Sequence, residues 1–425
     1  MDVTARETIS STGVASEWRQ GWHLVALTAI GITCAPTTLP VYSIGVFVGP
    51  FEQAFGWGRG ETQTAILFST GLGVICAPLA GWMVRHLGLR LTILPGLCGL
   101  ALSLALAGAM TGALWQLYAV YGLMSLLGAG AGAVGWTSLL AQRFDRARGL
   151  ALGIGLSGTG LCAVLMPQIA LQAMLLWGWR GAYFSLSAFI LLLVFPLAFM
   201  LLPRGAEAAH SDENVQVRAL GGQTMEEAVR SRHFWALGVS TACIYLAIGG
   251  IIPNLVPALT DKAMSARDIA AVLSAFGAAI VAGRIAIGAL VDRFWAPAVA
   301  AAVLIPASIA CLILDGSLEP SHAIVAAALL GAAAGMELDV LGFLTARYFG
   351  LKDFARIYGR VYIFVAAAAG IAPLAFGHIY DVSRSYHLPF MISAALLVVG
   401  AIGLLSLGRY PDVANARTPR HAARA

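Results

Sequence analysis

The chain has little charge: Asp, Glu, Lys and Arg make up 11% of its 425 residues, against roughly a quarter in soluble domains. With 59% hydrophobic residues and a mean hydropathy of +0.82, that deficit excludes an ordinary soluble domain. Cysteine is also scarce, and Cys34, Cys76, Cys98, Cys162, Cys243 and Cys311 lack CxxC spacing. They read as small packing residues rather than a zinc or disulfide framework. No GxxxxGK[ST] loop is present to cradle the phosphates of ATP. Basic stretches with interleaved aromatics are missing too, so the net charge of +5 implies no nucleic-acid partner. Strand-like alternation is absent, which excludes a membrane β-barrel.

What fills the chain instead is a series of apolar stretches, each long enough to cross about 30 Å of hydrocarbon at 1.5 Å per residue. Lipid offers no partner to backbone N–H and C=O groups, so stretches of this kind must be helices. Twelve spans are predicted, at 23–48, 63–84, 91–110, 113–141, 149–174, 181–202, 234–259, 269–291, 297–314, 322–346, 358–380 and 387–408. The polar residues 1–22 precede an apolar run longer than a signal-peptide core, so no cleavage is expected.

Lys and Arg collect in cytoplasmic loops. With the N-terminus inside, 20 of the 26 fall in inner segments, five in outer loops (Arg59, Arg180, Lys262, Arg267 and Arg384), and Arg284 alone lies in the membrane. Both termini are therefore expected in the cytoplasm.

A polar interruption at 203–232 divides a 23–202 half from a 233–408 half, leaving cytoplasmic tails at 1–22 and 409–425. Within it Thr224 and Glu227 fit a capping box, which predicts a short helix leading into the seventh span. The halves repeat one another. Leu126, Leu127, Gly128, Gly132 and Arg143-Phe144 read against Leu329, Leu330, Gly331, Gly335 and Arg347-Tyr348. Pro50 and Gly81 stand 207 residues before Pro257 and Gly288, and Met166-Pro167 echoes Ala372-Pro373. Two pseudo-symmetric six-helix bundles are the architecture of alternating-access carriers, with a site near the midplane between them.

Against that repeat, three charges stand out. Arg284 falls opposite Ala77, Glu337 opposite Val134 and Asp339 opposite Trp136. A charge in hydrocarbon is costly unless it faces a partner or a watery cavity, and so marks a functional site by default. Arg284 lies about 10 Å in from the inner end of its span, and Glu337 and Asp339 roughly 12–15 Å in from theirs, a similar depth. Two residues apart on a helix is about 200°, so the two acids face different neighbours. The planar fork of an arginine binds a carboxylate through two charge-assisted hydrogen bonds. An acid that gains and loses this partner can take up and release a proton. A fixed buried ion pair that only orders the helices is the other reading of the three. Tyr42, Tyr118, Tyr121 and Tyr245 are candidates for the apolar end of a substrate, or packing residues. Without a nucleophile and base at one depth, no catalytic residue is expected, and no metal or cofactor site.

The chain resembles the major facilitator superfamily, whose loop between spans two and three carries a GxxxDRxGRR-like motif, repeated between spans eight and nine. The first copy holds Gly81, Gly88 and Arg90, with Arg85 where the acid would stand; the second holds Gly288, Asp292 and Arg293, with Trp295 where its second glycine would fall. These residues are the expected gate. Within the superfamily, residues 22–408 are similar to the monocarboxylate and oxalate/formate branch, through Ser43-Ile44-Gly45-Val46-Phe47, the run Phe144, Arg146, Arg148, Leu150, Ala151, Gly153, Ser157 and Gly158, and Gly283-Arg284 with Asp292-Arg293. Arg284 falls where that branch places its substrate-binding arginine. Tyr42 occupies the position of a proton-linked lysine in the animal carriers, and Ala369 that of a second lysine in the oxalate carriers. A single membrane cation matches a single negative charge. The resemblance thus implies a secondary transporter of small organic anions, best a monocarboxylate, by proton symport or exchange, working as a monomer in the inner membrane of a bacterium. An efflux carrier for cationic drugs, bound by Glu337 and Asp339, is the alternative.

Overall fold

The computed structural model describes residues 3–144, 147–203, 222–316, 319–350 and 352–411. The centre of the 203–232 linker and most of the C-terminal tail lie outside that set, as does Arg146. Among the described residues the chain is helical, with no strand and one isolated bridge between Gly222 and Gly350. The helices are α1 (Val3–Thr33), α2 (Leu39–Phe55), α3 (Arg59–Gly108), α4 (Leu114–Leu127), α5 (Ala133–Arg143), α6 (Arg148–Leu156), α7 (Gly158–Phe189) and α8 (Phe195–Leu201). After the linker come α9 (Met225–Arg230), α10 (Arg232–Asp261), α11 (Ala266–Val291), α12 (Ala296–Asp315), α13 (Pro320–Phe349), α14 (Phe354–Ser383) and α15 (His387–Leu405).

Seven described segments are long and apolar enough to cross a membrane, and eight if the bent α13 counts as one. Two of the seven are double length. The 50 residues of α3 would run about 75 Å if straight, more than twice the hydrocarbon core. The helix is broken at Gly88, whose φ of 80° suits glycine and divides α3 between the expected spans 63–84 and 91–110. Gly178, at φ 68°, divides the stretch from Arg148 to Leu201 in the same way.

Three expected spans are instead interrupted, the fifth by a turn at Ser157 between α6 and α7. The first splits into α1 and α2 around Cys34–Thr38, where Pro36 has no N–H to donate. The freed groups turn locally: Cys34 N donates to Gly31 O at 3.1 Å and Leu39 N to Ala35 O at 2.9 Å. Cys34 and Ala35 are buried, so this irregular backbone is shielded from lipid, as it must be. The fourth splits into α4 and α5 across a 3-10 turn at Ala129–Ala131, packed so close to α3 that a Cβ on Gly130 would meet Thr92 O at 2.0 Å. Apolar composition continues through these breaks, which is why hydropathy reads one span in each.

The capping box forms: Thr224 N donates to Glu227 Oε2 at 2.7 Å, and Glu227 N to Thr224 Oγ1 at 3.4 Å, opening α9.

Candidate functional site

The pair α11 and α13 makes the most extensive helix contact among the described residues, and glycines permit it. A Cβ on Gly331 would meet Phe276 O at 2.2 Å, one on Gly335 would meet Ile280 O at 2.4 Å, and one on Gly283 would meet Ala332 Cα at 2.9 Å. With the backbones this close, the side chain that follows Gly283 is pressed against α13. That side chain is Arg284, which is 7% exposed. Its Nε lies 3.2 Å from Asp339 Oδ2 and donates to Gly335 O at 3.4 Å. Both contacts use the Nε edge of the guanidinium.

A bend of 42° separates Pro320–Glu337 from Asp339–Phe349, so the break in α13 falls between the two acids. Asp339 turns to Arg284. Glu337 turns to α10, where the Tyr245 hydroxyl interacts with its carboxyl. One of its oxygens, Oε1, is buried with no hydrogen-bond partner within 3.5 Å. It borders a space of about 10 Å³ lined by Thr241, Tyr245, Met336, Val340 and Leu404, at the limit of what one water needs.

Tyr42, one turn beyond the break at Pro36, reaches this cluster from the first half. It is within electrostatic range of Arg284 and Glu337, and its ring lies 6.5 Å from that of Phe276. Tyr358 on α14 is within electrostatic range of Asp339. Arg284, Glu337, Asp339, Tyr42 and Tyr245 are thus brought together. Tyr121 is not: its hydroxyl pairs with that of Tyr183 at 3.1 Å, in a buried stack where Tyr183 lies 4.1 Å from Phe47. Tyr118 donates to Glu61 O at 3.0 Å, away from the charges.

The expected gate residues sit at the ends assigned to the inside. Gly88 makes the break in α3, and Arg90 donates to Leu202 O at 3.3 Å while lying 4.4 Å over the Phe199 ring. Gly81 and Gly288 have room around them, and Asp292 and Arg293 line an open recess.

A second cluster, which the sequence does not announce, ties the halves together at the end assigned to the outside. Arg59, 8% exposed, donates from Nη1 and Nη2 to the two carboxylate oxygens of Asp261, each at 2.8 Å. The same guanidinium lies 3.4 Å from Glu52 Oε2, 3.8 Å over the Tyr380 ring, and donates to Tyr386 Oη at 3.1 Å. The Asp381 carboxylate accepts from Arg59 N and Gly60 N, each at 2.8 Å. Deeper in, Gln63 and Asn254 exchange amide hydrogen bonds of 2.7 and 2.8 Å, and Tyr386 donates to Asn254 Oδ1. The backbones touch where Gly60 meets Gly377. A Cβ on Gly377 would come within 2.6 Å of both Gly60 N and Cα, which cannot swing aside. Gly377→Val is therefore expected to prop this end open, reducing flux at least tenfold with membrane insertion intact. Proteoliposome uptake beside surface expression checks it, and wild-type uptake would contradict it.

A family model described as Major Facilitator Superfamily matches residues 24–317 and 237–425. Among curated proteins, similarity extends over nearly the whole chain. Monocarboxylate transporter 13 of Bos taurus is 27% identical over 403 residues, covering 92% of this chain and 90% of its own. Monocarboxylate transporter 12 of Rattus norvegicus is 22% identical over 430 residues, with 93% and 87% covered. Monocarboxylate transporter 9 of Mus musculus is 23% identical over 473 residues, with 89% and 91% covered.

Proposed function

The chain belongs to the major facilitator superfamily, a multi-pass membrane transporter and not an enzyme, and from that premise we propose that it carries small organic anions, best a monocarboxylate, by alternating access. The observation that carries this reading is the half-used guanidinium of Arg284. Asp339 and Gly335 O hold it through Nε, and the edge formed by its two terminal nitrogens is the one a carboxylate engages bidentately. Tyr42, within electrostatic range of Arg284, supplies an aromatic neighbour suited to the short carbon chain of such an anion. The names of the relatives agree with that substrate class.

Coupling follows from the acids. An anion arriving on Arg284 competes with Asp339 for one cation, and the carboxylate released from that pair accepts a proton, so that proton and anion cross together without net charge. Glu337 is the second proton carrier. Its unpartnered oxygen lies in a space with scant room for water, a costly place for a bare charge. The cluster around Arg59 supports an occluded outer end, while Arg85, His86, Leu87, Arg356 and Arg360 are exposed at the inner ends. An inward-facing state of a twelve-span carrier, with two six-helix bundles at 23–202 and 233–408 and cytoplasmic termini in a bacterial inner membrane, accommodates both.

Stimulation of uptake by an acidic exterior is expected to vanish in Glu337→Gln or in Asp339→Asn, with exchange of anion for anion retained. Counterflow and gradient-driven uptake in proteoliposomes separate the two. Unchanged pH dependence in both variants would reduce the acids to fixed partners of the fold. The unpartnered Glu337 oxygen is the one feature that favours a cation as cargo, and the competing efflux reading rests on it.

A further inference from the structure

At the inner end of the second half, the segment after α11, the last turn of α13 and the segment after α15 enclose a recess of about 770 Å³. Arg293, Arg347 and Arg409 line it, with Asp292 as its single acid. Among the described residues none of the three arginines has a carboxylate within 4.0 Å. Aromatic rings fix one of them: Arg347 lies 5.2 Å over Phe343 and 5.6 Å over Tyr410. The indole Nε1 of Trp295, buried in the same lining, interacts with the Tyr348 hydroxyl.

Two neighbouring corners show that such a cluster is not the rule here. The cleft between α9 and α14 also gathers three arginines, Arg230, Arg356 and Arg360, but Glu226 and Asp353 line it too. In the first half, the corner between the break in α3 and the end of α8 is closed by Arg90 itself, spread on Phe199 and bonded to Leu202 O. Of these three corners, the recess beside Trp295 has the largest excess of arginine over acid together with open volume. Phe294 in its lining is 61% exposed, and Leu290, one turn before it, is 40% exposed. A cationic hollow at the inner membrane boundary, opening onto an apolar edge, has the amphipathic profile of a lipid headgroup with its chains.

We propose that this recess binds the phosphate of an anionic phospholipid, held by Arg293, Arg347 and Arg409, with the acyl chains laid along Leu290 and Phe294. The site lies apart from Arg284 and does not depend on which anion is transported. It would anchor the end of α15 to the segment after α11, two elements that no loop joins directly.

The test uses the full chain purified in detergent, with phosphatidylglycerol, phosphatidylcholine and inorganic phosphate as probes, read by native mass spectrometry and thermal unfolding. Phosphatidylglycerol is expected to remain as a bound adduct and raise the unfolding temperature. In the triple variant Arg293→Gln, Arg347→Gln, Arg409→Gln its affinity is expected to fall about a hundredfold, from the loss of three basic contacts. Arg356→Gln with Arg360→Gln is expected to leave it unchanged. If the triple variant does not fold, Arg293→Gln and Arg409→Gln singly carry the same comparison, each weakening the adduct. Equal retention of phosphatidylcholine, or undiminished phosphatidylglycerol binding in the arginine variants, would overturn the proposal. So would an equal shift from inorganic phosphate, which would assign the site to a soluble anion.

Discussion

Arg284→Lys is expected to lower carboxylate flux by about a hundredfold and Arg284→Ala to abolish it. Lysine keeps the charge but presents a point donor instead of a planar fork, so it cannot hold Asp339 on one edge and a carboxylate on the other. Losing one charge-assisted bidentate contact costs about 3 kcal/mol, which is roughly two decades in affinity. Arg284→Ala adds a second penalty, because it leaves Asp339 without the cation that lies 3.2 Å away. Folding and transport are separated by the double variant Arg284→Ala, Asp339→Ala. It removes both charges, so it is expected to recover yield and monodispersity while flux stays absent. Substantial flux in Arg284→Lys would show that charge alone suffices, and that the fork geometry is not used.

The second large effect is expected at the end assigned to the outside. Arg59→Ala or Asp261→Ala should shift the resting population away from the closed outer state. The pair is bidentate and its arginine side chain is 9% exposed, but the Asp261 side chain is 32% exposed, so the cost of breaking it is screened. A value on the order of 2 kcal/mol, between exposed and buried pairs, changes the ratio of the two states about 30-fold. Spin labels at Ala54 and Arg267, exposed positions on opposite halves, report the separation as a distance distribution in a background freed of the native cysteines. A longer distance is expected in each single variant, with little further change in the double, since the two residues act as one contact. The exchange Arg59→Asp with Asp261→Arg is expected to restore part of the short distance. Distances that ignore all three substitutions would show that the backbone contact of Gly60 with Gly377 closes this end unaided.

The sequence discloses these two regions unequally. The depth of Arg284, Glu337 and Asp339 is readable because each stands alone in an apolar stretch, and depth places the arginine level with the acids of the tenth span. In the structure Arg284 meets Asp339 there. The 200° between Glu337 and Asp339 is readable in the same way, and the two carboxyls do face different helices. Tyr121 is different. Helical period says that a side chain has a face but not which neighbour covers it, and Tyr183 covers this one. The outer cluster is hidden for a stronger reason. Arg59 and Asp261 are 202 residues apart, each among polar neighbours at the end of a span, and nothing local marks them as partners. Gln63 and Asn254 carry the one available signal, an amide within an apolar segment on each half, which in a membrane has to find a hydrogen-bond partner. The helix breaks at Pro36 and at Gly128–Gly132 have proline and glycine as visible causes. Gly331 and Gly335, which the repeat sets opposite Gly128 and Gly132, sit in continuous helix, so the same residues permit either a break or a close contact.

The claim on which the rest depends is that a small anion binds the free edge of Arg284. Counterflow in proteoliposomes, run with a panel of small monocarboxylates, their amides and organic cations, in wild type, Arg284→Ala and the double variant Glu337→Gln, Asp339→Asn, tests it most directly. Exchange of at least one monocarboxylate in wild type, lost in Arg284→Ala and retained in the acid variant, with amides and cations inert, is the predicted result. Exchange of a cation that survives in Arg284→Ala and disappears when the two acids are neutralised would contradict it.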